Sequence, residues 1–412
     1  MARPPSFPPL LYILRLLLLV CYTKAYATVS DETLKALPGP GDDFNINTGA
    51  LLSPILVPRV AGTPGSLDVL NHFIGFFETT LPKWNISLQN STSKTPATGD
   101  REVPFVNMIA SLDPPWTVPG EVGRLTLVAH YDSKLTPAGF IGATDSAAPC
   151  AMLMHAARSL DAALSEKWAA MQAEGAGSGG YSDFEEQKGI QIIFLDGEEA
   201  FVSWTNEDSL YGARSLAAEW EAARHPALST YHTAISSISL FVLLDLLGDK
   251  NPTVPSYFKT THWAYQKMAA LETRLRDLSL FKSSPNHPSK RTLSTNESEA
   301  RADSTRREPV FLTDANKDHN RWMGGMVLDD HVPFMARGVD VLHIIPTPFP
   351  RVWHEMDDDG EHLDLDSVED WALLTTAFAA EWMELDGFFD SVTTDNKSKG
   401  RRGRQVISKT EL

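Results

Sequence analysis

The sequence predicts an α/β fold in a single domain, with helices flanking a largely parallel sheet. Two observations carry this. Four short β-rich runs, RLTLVAH (124–130), IQIIFLD (190–196), LFVLLD (240–245) and VDVLHIIP (339–346), are apolar without alternation, as strands buried on both faces are. Helical patterns lie between and after them, at about 146–172, 209–224, 256–279 and 366–389. Strands alternating with helices build parallel sheets. The chain has 412 residues, 42% of them hydrophobic, with 10 Trp and 19 Phe, enough for a sizeable core.

From the N-terminus, residues 1–27 carry an early Arg3, an apolar run at Leu16–Cys21 and the ending Ala25-Tyr26-Ala27. This reads as a secretory signal peptide cleaved after Ala27; Arg15, just before that run, weakens the signal and shortens any membrane span, so a signal anchor is the lesser alternative. Residues 28–45 are polar and rich in Gly and Pro, and are expected to form a flexible lead-in to a folded domain over 46–390. The segment 65–80 has helical spacing, with Ser66 in position to cap it. Two polar inserts, 173–189 and 282–309, are expected to be disordered, as is the basic tail 391–412 with KGRRGR at its centre. Gly175 to Gly180 spells G-x-G-x-x-G, but it follows a helix and leads into polar residues, the wrong context for a dinucleotide site.

Four N-x-S/T sequons, at Asn85, Asn90, Asn296 and Asn396, suit a glycoprotein of the secretory pathway. The last residues, Lys409-Thr410-Glu411-Leu412, resemble a K-D-E-L retrieval signal, so the protein is expected to be secreted or retained in the endoplasmic reticulum. Of 2 cysteines, Cys21 lies in the signal, leaving Cys150 without an intramolecular disulfide partner. A net charge of −17 argues against a general nucleic-acid binder.

The chemistry collects at the ends of the strands. The first run ends at His130, followed by Asp132; the second at Asp196, leading into Glu198 and Glu199; the third at Asp245; the fourth carries His343 before a loop reaching His354. Asp145 joins them if its Gly-containing loop opens the next helix. Open α/β sheets bind ligands outside the carboxyl ends of their strands. His, Asp and Glu gathered there suit Zn²⁺ with an open position for substrate. One of the adjacent glutamates would then bind metal while the other moves protons. Each residue alone could be a turn former, a helix cap or a satisfied core histidine; their recurrence at equivalent strand ends is what points to a site. Trp204, Phe349 and Trp353 crowd the same region and could form an apolar pocket that excludes water.

The motifs AHYDSK, GATDSAAPCAM, FLDGEEAFVSW, DSLYGARSLA, LLDLLGDKNPT, DDHVPF and VLHIIPTPFPRVWHEMDD resemble those of the glutaminyl-peptide cyclotransferases. The resemblance runs from about residue 50 to 387, and the His, Asp, Glu, Asp, His series is shared with the related two-zinc aminopeptidases. It implies a single α/β domain with a central mixed sheet of the zinc-aminopeptidase kind and one catalytic zinc. Asp145, Glu199 and His354 would be the zinc ligands and Glu198 the general acid/base. Asp245 and Asp329 would form the carboxylate pair beside it, Trp204 would help fix the substrate, and Trp353, Phe349 and His343 would shape the pocket. The implied reaction closes an N-terminal glutamine to pyroglutamate with loss of ammonia. Its substrates would be peptides and proteins with N-terminal Gln, acted on by a monomer with no nucleic-acid partner and no membrane partner once the signal is cleaved. A zinc aminopeptidase of the same fold is the alternative, since His130 and Asp245 occupy the extra metal-ligand positions of that class. Two positions depart from the family: Ala129 stands where secreted animal members carry Cys, and Leu328 where Gln is expected.

Overall fold

All four apolar runs are strands in the computed structural model, which describes residues 28–178, 187–291, 308–318, 322 and 325–389. The expected signal peptide, the basic tail with its terminal Lys409–Leu412, Asn296 and Asn396 lie outside the described residues. The sheet also contains two strands that the sequence reading left out. In chain order its members are β1 (Asn85–Lys94), β2 (Glu102–Leu112), β3 (Val122–His130), β4 (Gln187–Leu195), β5 (Ile238–Leu244) and β6 (Val341–Ile344). They lie side by side as β1-β2-β4-β3-β5-β6. β1 and β2 run antiparallel, as do β2 and β4, and the remaining neighbours are parallel, so the sheet is mixed.

The apolar runs do not alternate because both faces are covered. Leu125, Leu127, Ile190, Ile192, Leu240 and Val242 point into one core. Their neighbours Val128, Ile193, Leu195, Phe241 and Leu243 point into another on the opposite face. The first core is closed by α2 (Pro64–Thr80), α3 (Ala148–Ala173), α5 (His262–Asp277) and α7 (Leu365–Trp382); Phe73 of α2 stacks on Phe194 of β4 at 4.1 Å. The second is closed by α4 (Tyr211–Ala222) and the short α6 (Val332–Met335). α2 begins one turn earlier than expected. Thr63 is its cap, its side chain accepting the N–H of Ser66 at 3.5 Å, and Pro64 takes the first helical position, where its missing N–H costs nothing.

The expected flexible lead-in is instead part of the core. Helix α1 (Asp31–Ala36) lies within it, capped by Ser30, whose hydroxyl accepts the N–H of Thr33. Val29, Leu34, Leu37 and Phe44 are all buried, and the Val29 N–H donates to Glu381 Oε2 at 3.1 Å. The inserts are shorter than expected too. α3 runs to Ala173 with turns to residue 178, and β4 already includes Gln187, Lys188 and Gly189. The start of 282–309 is packed: the Lys282 and Ser283 N–H groups donate to Asp370 at 2.6 and 2.9 Å, and Pro288–Arg291 forms a turn of helix. Residues 179–186 and 292–307 lie outside the described residues.

From β3 the chain crosses to β4 on one side, while from β5 it crosses to β6 on the other. The carboxyl ends of β3 and β5 therefore border a topological switch point, where such sheets bind ligands.

Candidate active site

Three loops at that end of the sheet carry Glu198, Glu199, Asp145 and His354, and main-chain groups help to hold each of them. The first follows β4. Gly197 has φ 72°, and a Cβ there would meet the Phe105 ring at 2.3 Å, so only glycine turns the chain here. Asp196 turns away from the site, and its Oδ2 accepts the Val106 N–H at 2.9 Å. The turn lifts Glu198 and Glu199 over β3, where Asp132 accepts both of their N–H groups, at 3.0 and 3.1 Å. Two adjacent glutamates thus hang from one buried aspartate.

The second loop, 140–147, opens α3 as expected and brings in Asp145. Arg59, fully buried, donates to the carbonyls of Ile141, Gly142 and Asp145, the last two at 2.9 and 3.4 Å. From the opposite side Asp358 accepts the Thr144 N–H at 2.7 Å and its hydroxyl at 3.0 Å. The third loop follows β6 and carries His354, with φ 60°. Its ring stacks on Trp353 at 4.0 Å and faces the edge of Phe140 at 6.3 Å.

These loops bring Asp145, Glu199 and His354 together. His354 Nε2 lies 3.4 Å from Asp145 Oδ2 and 3.5 Å from Glu199 Oε1. Ligand atoms of a tetrahedral zinc, each about 2.0–2.1 Å from the ion, sit about 3.4 Å apart. Glu199 Oε1 is buried without a hydrogen-bond partner, while Lys134 donates to its other oxygen at 3.3 Å. The donor set and spacing therefore fit a divalent cation. Burial works to lower the His354 ring, but its contacts with Asp145 and Glu199 push it up to about 9. The space between these groups favours positive charge.

A second group, His130, Asp145 and Asp245, meets on the β3 side. Here the ligand atoms already bond to one another or to neighbours. His130 Nε2 contacts Asp145 Oδ1 at 3.0 Å, and Asp245 Oδ1 accepts the Leu246 N–H at 2.8 Å and the Ser146 hydroxyl. Burial works to raise the Asp145 carboxyl, but the hydrogen bonds with His130 and His354 outweigh it and hold the group ionised.

Glu198 is buried among acids. Desolvation, with Asp329, Glu199 and Asp330 nearby, pushes its carboxyl well above the usual range, against the pull of His130. Asp329 is raised too, by burial and then Asp245; its Oδ2 lies 2.7 Å from His343 Nε2. Burial holds His343 down to about 4, so the neutral imidazole shares that hydrogen bond with the Asp329 carboxyl.

Phe349 and Trp353 form one aromatic corner, their rings 4.9 Å apart and edge to face, with Trp353 39% exposed. Trp204 is exposed on the loop after Glu199 and has no ring partner among the described residues. That loop is held by Asp208, which accepts the N–H groups of Phe201, Val202 and Ser203, each at 2.9 Å. Leu328 is exposed. Cys150 is a free, buried thiol whose Sγ donates to the His130 carbonyl at 3.1 Å.

The sequence reading missed Arg59, Lys134, Ser146 and Asp358, and gave Asp132 no task. AHYDSK and GATDSAAPC placed Asp132 and Ser146 beside assigned residues; Arg59 had no such signal.

The profile of Peptidase family M28 matches residues 107–379, which defines the class of fold and site. Within it, the chain is 38% identical over 337 residues to the glutaminyl-peptide cyclotransferase-like protein of Bos taurus, covering 81% of this chain and 74% of that protein. It is 38% identical over 342 residues to the glutaminyl-peptide cyclotransferase of Bothrops jararaca, covering 81% and 80%. The crystal structure of Macrostomum lignano glutaminyl cyclase matches with a TM-score of 0.65 at 29% identity, over 89% of this chain and 97% of that one. The chain belongs to the glutaminyl-peptide cyclotransferase family of enzymes.

Proposed function

We propose that the protein is a zinc-dependent glutaminyl cyclase, which converts the N-terminal glutamine of peptides and proteins to pyroglutamate. The observation that carries this reading is the division of labour in the Glu198–Glu199 pair. Glu199 turns a bare oxygen towards His354 and Asp145, while Glu198 is held apart with a raised affinity for protons.

Zn²⁺ held by Asp145, Glu199 and His354 would supply Lewis-acid polarisation of the substrate's γ-carbonyl. The substrate's α-amine attacks that carbon, and Glu198 takes the proton the amine loses. The new C–N bond closes a five-membered lactam. As the old C–N bond breaks, Glu198 returns the proton to the departing nitrogen, which leaves as ammonia. Asp329, paired with neutral His343, forms with Asp330 and Glu199 the acidic wall that keeps Glu198 a strong enough base, and Asp245 in turn raises Asp329. Phe349, Trp353 and Trp204 hold the glutamine side chain and limit water, so that the amine rather than water attacks.

A zinc aminopeptidase of the same fold is the second reading, favoured by the proximity of His130, Asp145 and Asp245. The Ser146 hydroxyl and the Leu246 N–H, which already engage Asp245 Oδ1, weigh against a second ion there. Metal analysis after dialysis against limiting zinc separates the two: the cyclase binds one ion per chain, the aminopeptidase two.

The enzyme acts, on this account, in the secretory pathway, and works as a monomer. No helix among the described residues is long and apolar enough to cross a membrane.

A further inference from the structure

The two edges of the sheet are finished differently. β6 is short, and its four residues are all buried. The Thr261 hydroxyl donates to the Val341 carbonyl at 2.5 Å and Tyr257 Oη to the Ile345 carbonyl at 3.0 Å, so this edge is covered. β1 at the other edge is ten residues long, and Asn85, Ser87, Leu88, Asn90, Thr92 and Lys94 are exposed. Its inner contacts hold it straight against the sheet: Gln89 bonds to Ser215 and Asn107, at 2.9 and 2.6 Å, and Ile86 packs on the main core.

Long exposed edge strands pair with other chains unless charge, proline, a bulge or a covering element stops them. β1 has none of the side-chain devices over most of its length. Residues 85–93 include no proline and no charged residue, and the register with β2 is unbroken from Asn85 to Lys94. Lys94, at the far end, is paired with Asp100 at 2.7 Å. An uncharged run of Ser, Thr, Asn and Gln with Ile and Leu is a sequence prone to cross-strand pairing.

Two of the chain's sequons fall on this strand, N-I-S at Asn85 and N-S-T at Asn90, and both asparagines are exposed. We propose that Asn85 and Asn90 carry N-linked oligosaccharides that shield the open β1 edge from pairing with a second copy of this chain. The inference rests on the secretory reading. Asn90 is five positions on from Asn85, an odd offset, so the glycans leave opposite faces of the strand about 17 Å apart. Bulky, solvated chains above and below the edge block an approaching strand on both sides. In the transfer, each asparagine Nδ2 bonds to the anomeric carbon of an oligosaccharide carried on a polyprenyl pyrophosphate. The sugar–phosphate bond breaks, the amide loses one proton, and the lipid pyrophosphate leaves.

The test is expression of the full chain in a eukaryotic secretory host, with glycopeptide mass spectrometry and light scattering. Both asparagines are expected to carry glycan, and the protein to remain monomeric at tens of micromolar. The Ser87→Ala, Thr92→Ala double variant is expected to keep its turnover yet shift to dimers and larger species. Adding Leu88→Lys to that variant restores the monomer, because a charge on the edge replaces the glycans. Trimming the folded glycoprotein to one sugar per site gives the same association without relying on a variant's folding. Bare Asn85 and Asn90 in a chain glycosylated at Asn296 or Asn396 overturn this proposal and leave the secretory reading standing. Four bare sequons overturn both. Occupied sites whose removal leaves a monomer overturn the shielding role.

Discussion

Arg59 donates from its fully buried guanidinium to the main-chain carbonyl of Asp145, at 3.4 Å. The same fork reaches the carbonyls of Gly142 and Ile141, so one side chain shapes the loop that presents Asp145 to His354 and Glu199. Its charge also sits beside Asp132, Asp145 and Asp358, offsetting part of the acidity gathered at the site. Removing a second contact layer of this kind costs about 10- to 100-fold in metal affinity. Arg59→Met is therefore expected to weaken zinc binding by that order in a chelator competition. Arg59→Lys, which keeps the charge and loses the fork, should fall between. Wild-type affinity in both variants would remove Arg59 from the account.

Asp132 makes a separate prediction. It accepts the N–H groups of both Glu198 and Glu199, and an asparagine can accept with only one of its side-chain atoms. Asp132→Asn should leave one glutamate without its anchor and lower kcat about 10- to 100-fold while the thermal midpoint moves little. An unchanged kcat would mean that Gly197 and the turn alone position the pair.

Glu198→Gln separates proton transfer from metal binding. Losing a general acid/base costs about 10²- to 10⁴-fold in rate, and the zinc content should stay at the wild-type level because Glu198 is not among the proposed ligands. The mirror variant, Glu199→Ala, should lose both. Equal zinc loss in the two would show that their roles are not divided.

His155 gives the stability a pH dependence. Burial and Arg158 hold its ring down to about 4 despite the Pro38 carbonyl and Asp43, whereas the unfolded chain's histidine titrates near 6.5. Between those values the unfolded state binds more protons, so stability is full above about 6.5 and falls as pH drops towards 4. The loss is about 3 kcal/mol at most. Denaturant titrations from pH 7 to 4 should show this slope. His155→Gln, which keeps a donor for Pro38 and does not titrate, should reduce it, the remainder belonging to other buried histidines such as His343; an undiminished slope would place the acid sensitivity elsewhere.

The inner sheet was legible because strands covered on both faces leave unbroken apolar runs, as in IQIIFLD. β1 and β2 were not, since Asn85–Lys94 reads as a polar loop and is a strand only because β2 pairs with it along its whole length. The lead-in was misread for a related reason. Its Gly and Pro suggested mobility, while Val29, Leu34 and Phe44 are too widely spaced to show a pattern yet fit gaps in the main core. At the site, the residues that face one another across the cleft were readable, because strand ends in such folds converge. Arg59, Asp358 and the task of Asp132 were not, because their partners are mainly main-chain N–H and C=O groups, which every residue has and no sequence displays.

The reaction is open to a simple assay: two peptides, one beginning with Gln and one with Leu, incubated with the purified protein and followed by mass spectrometry with and without a zinc chelator. A cyclase removes one ammonia from the Gln peptide, in a chelator-sensitive way, and leaves the Leu peptide intact. Release of free leucine, with the Gln peptide's ammonia retained, would contradict the cyclase reading and make the protein an aminopeptidase on the same fold.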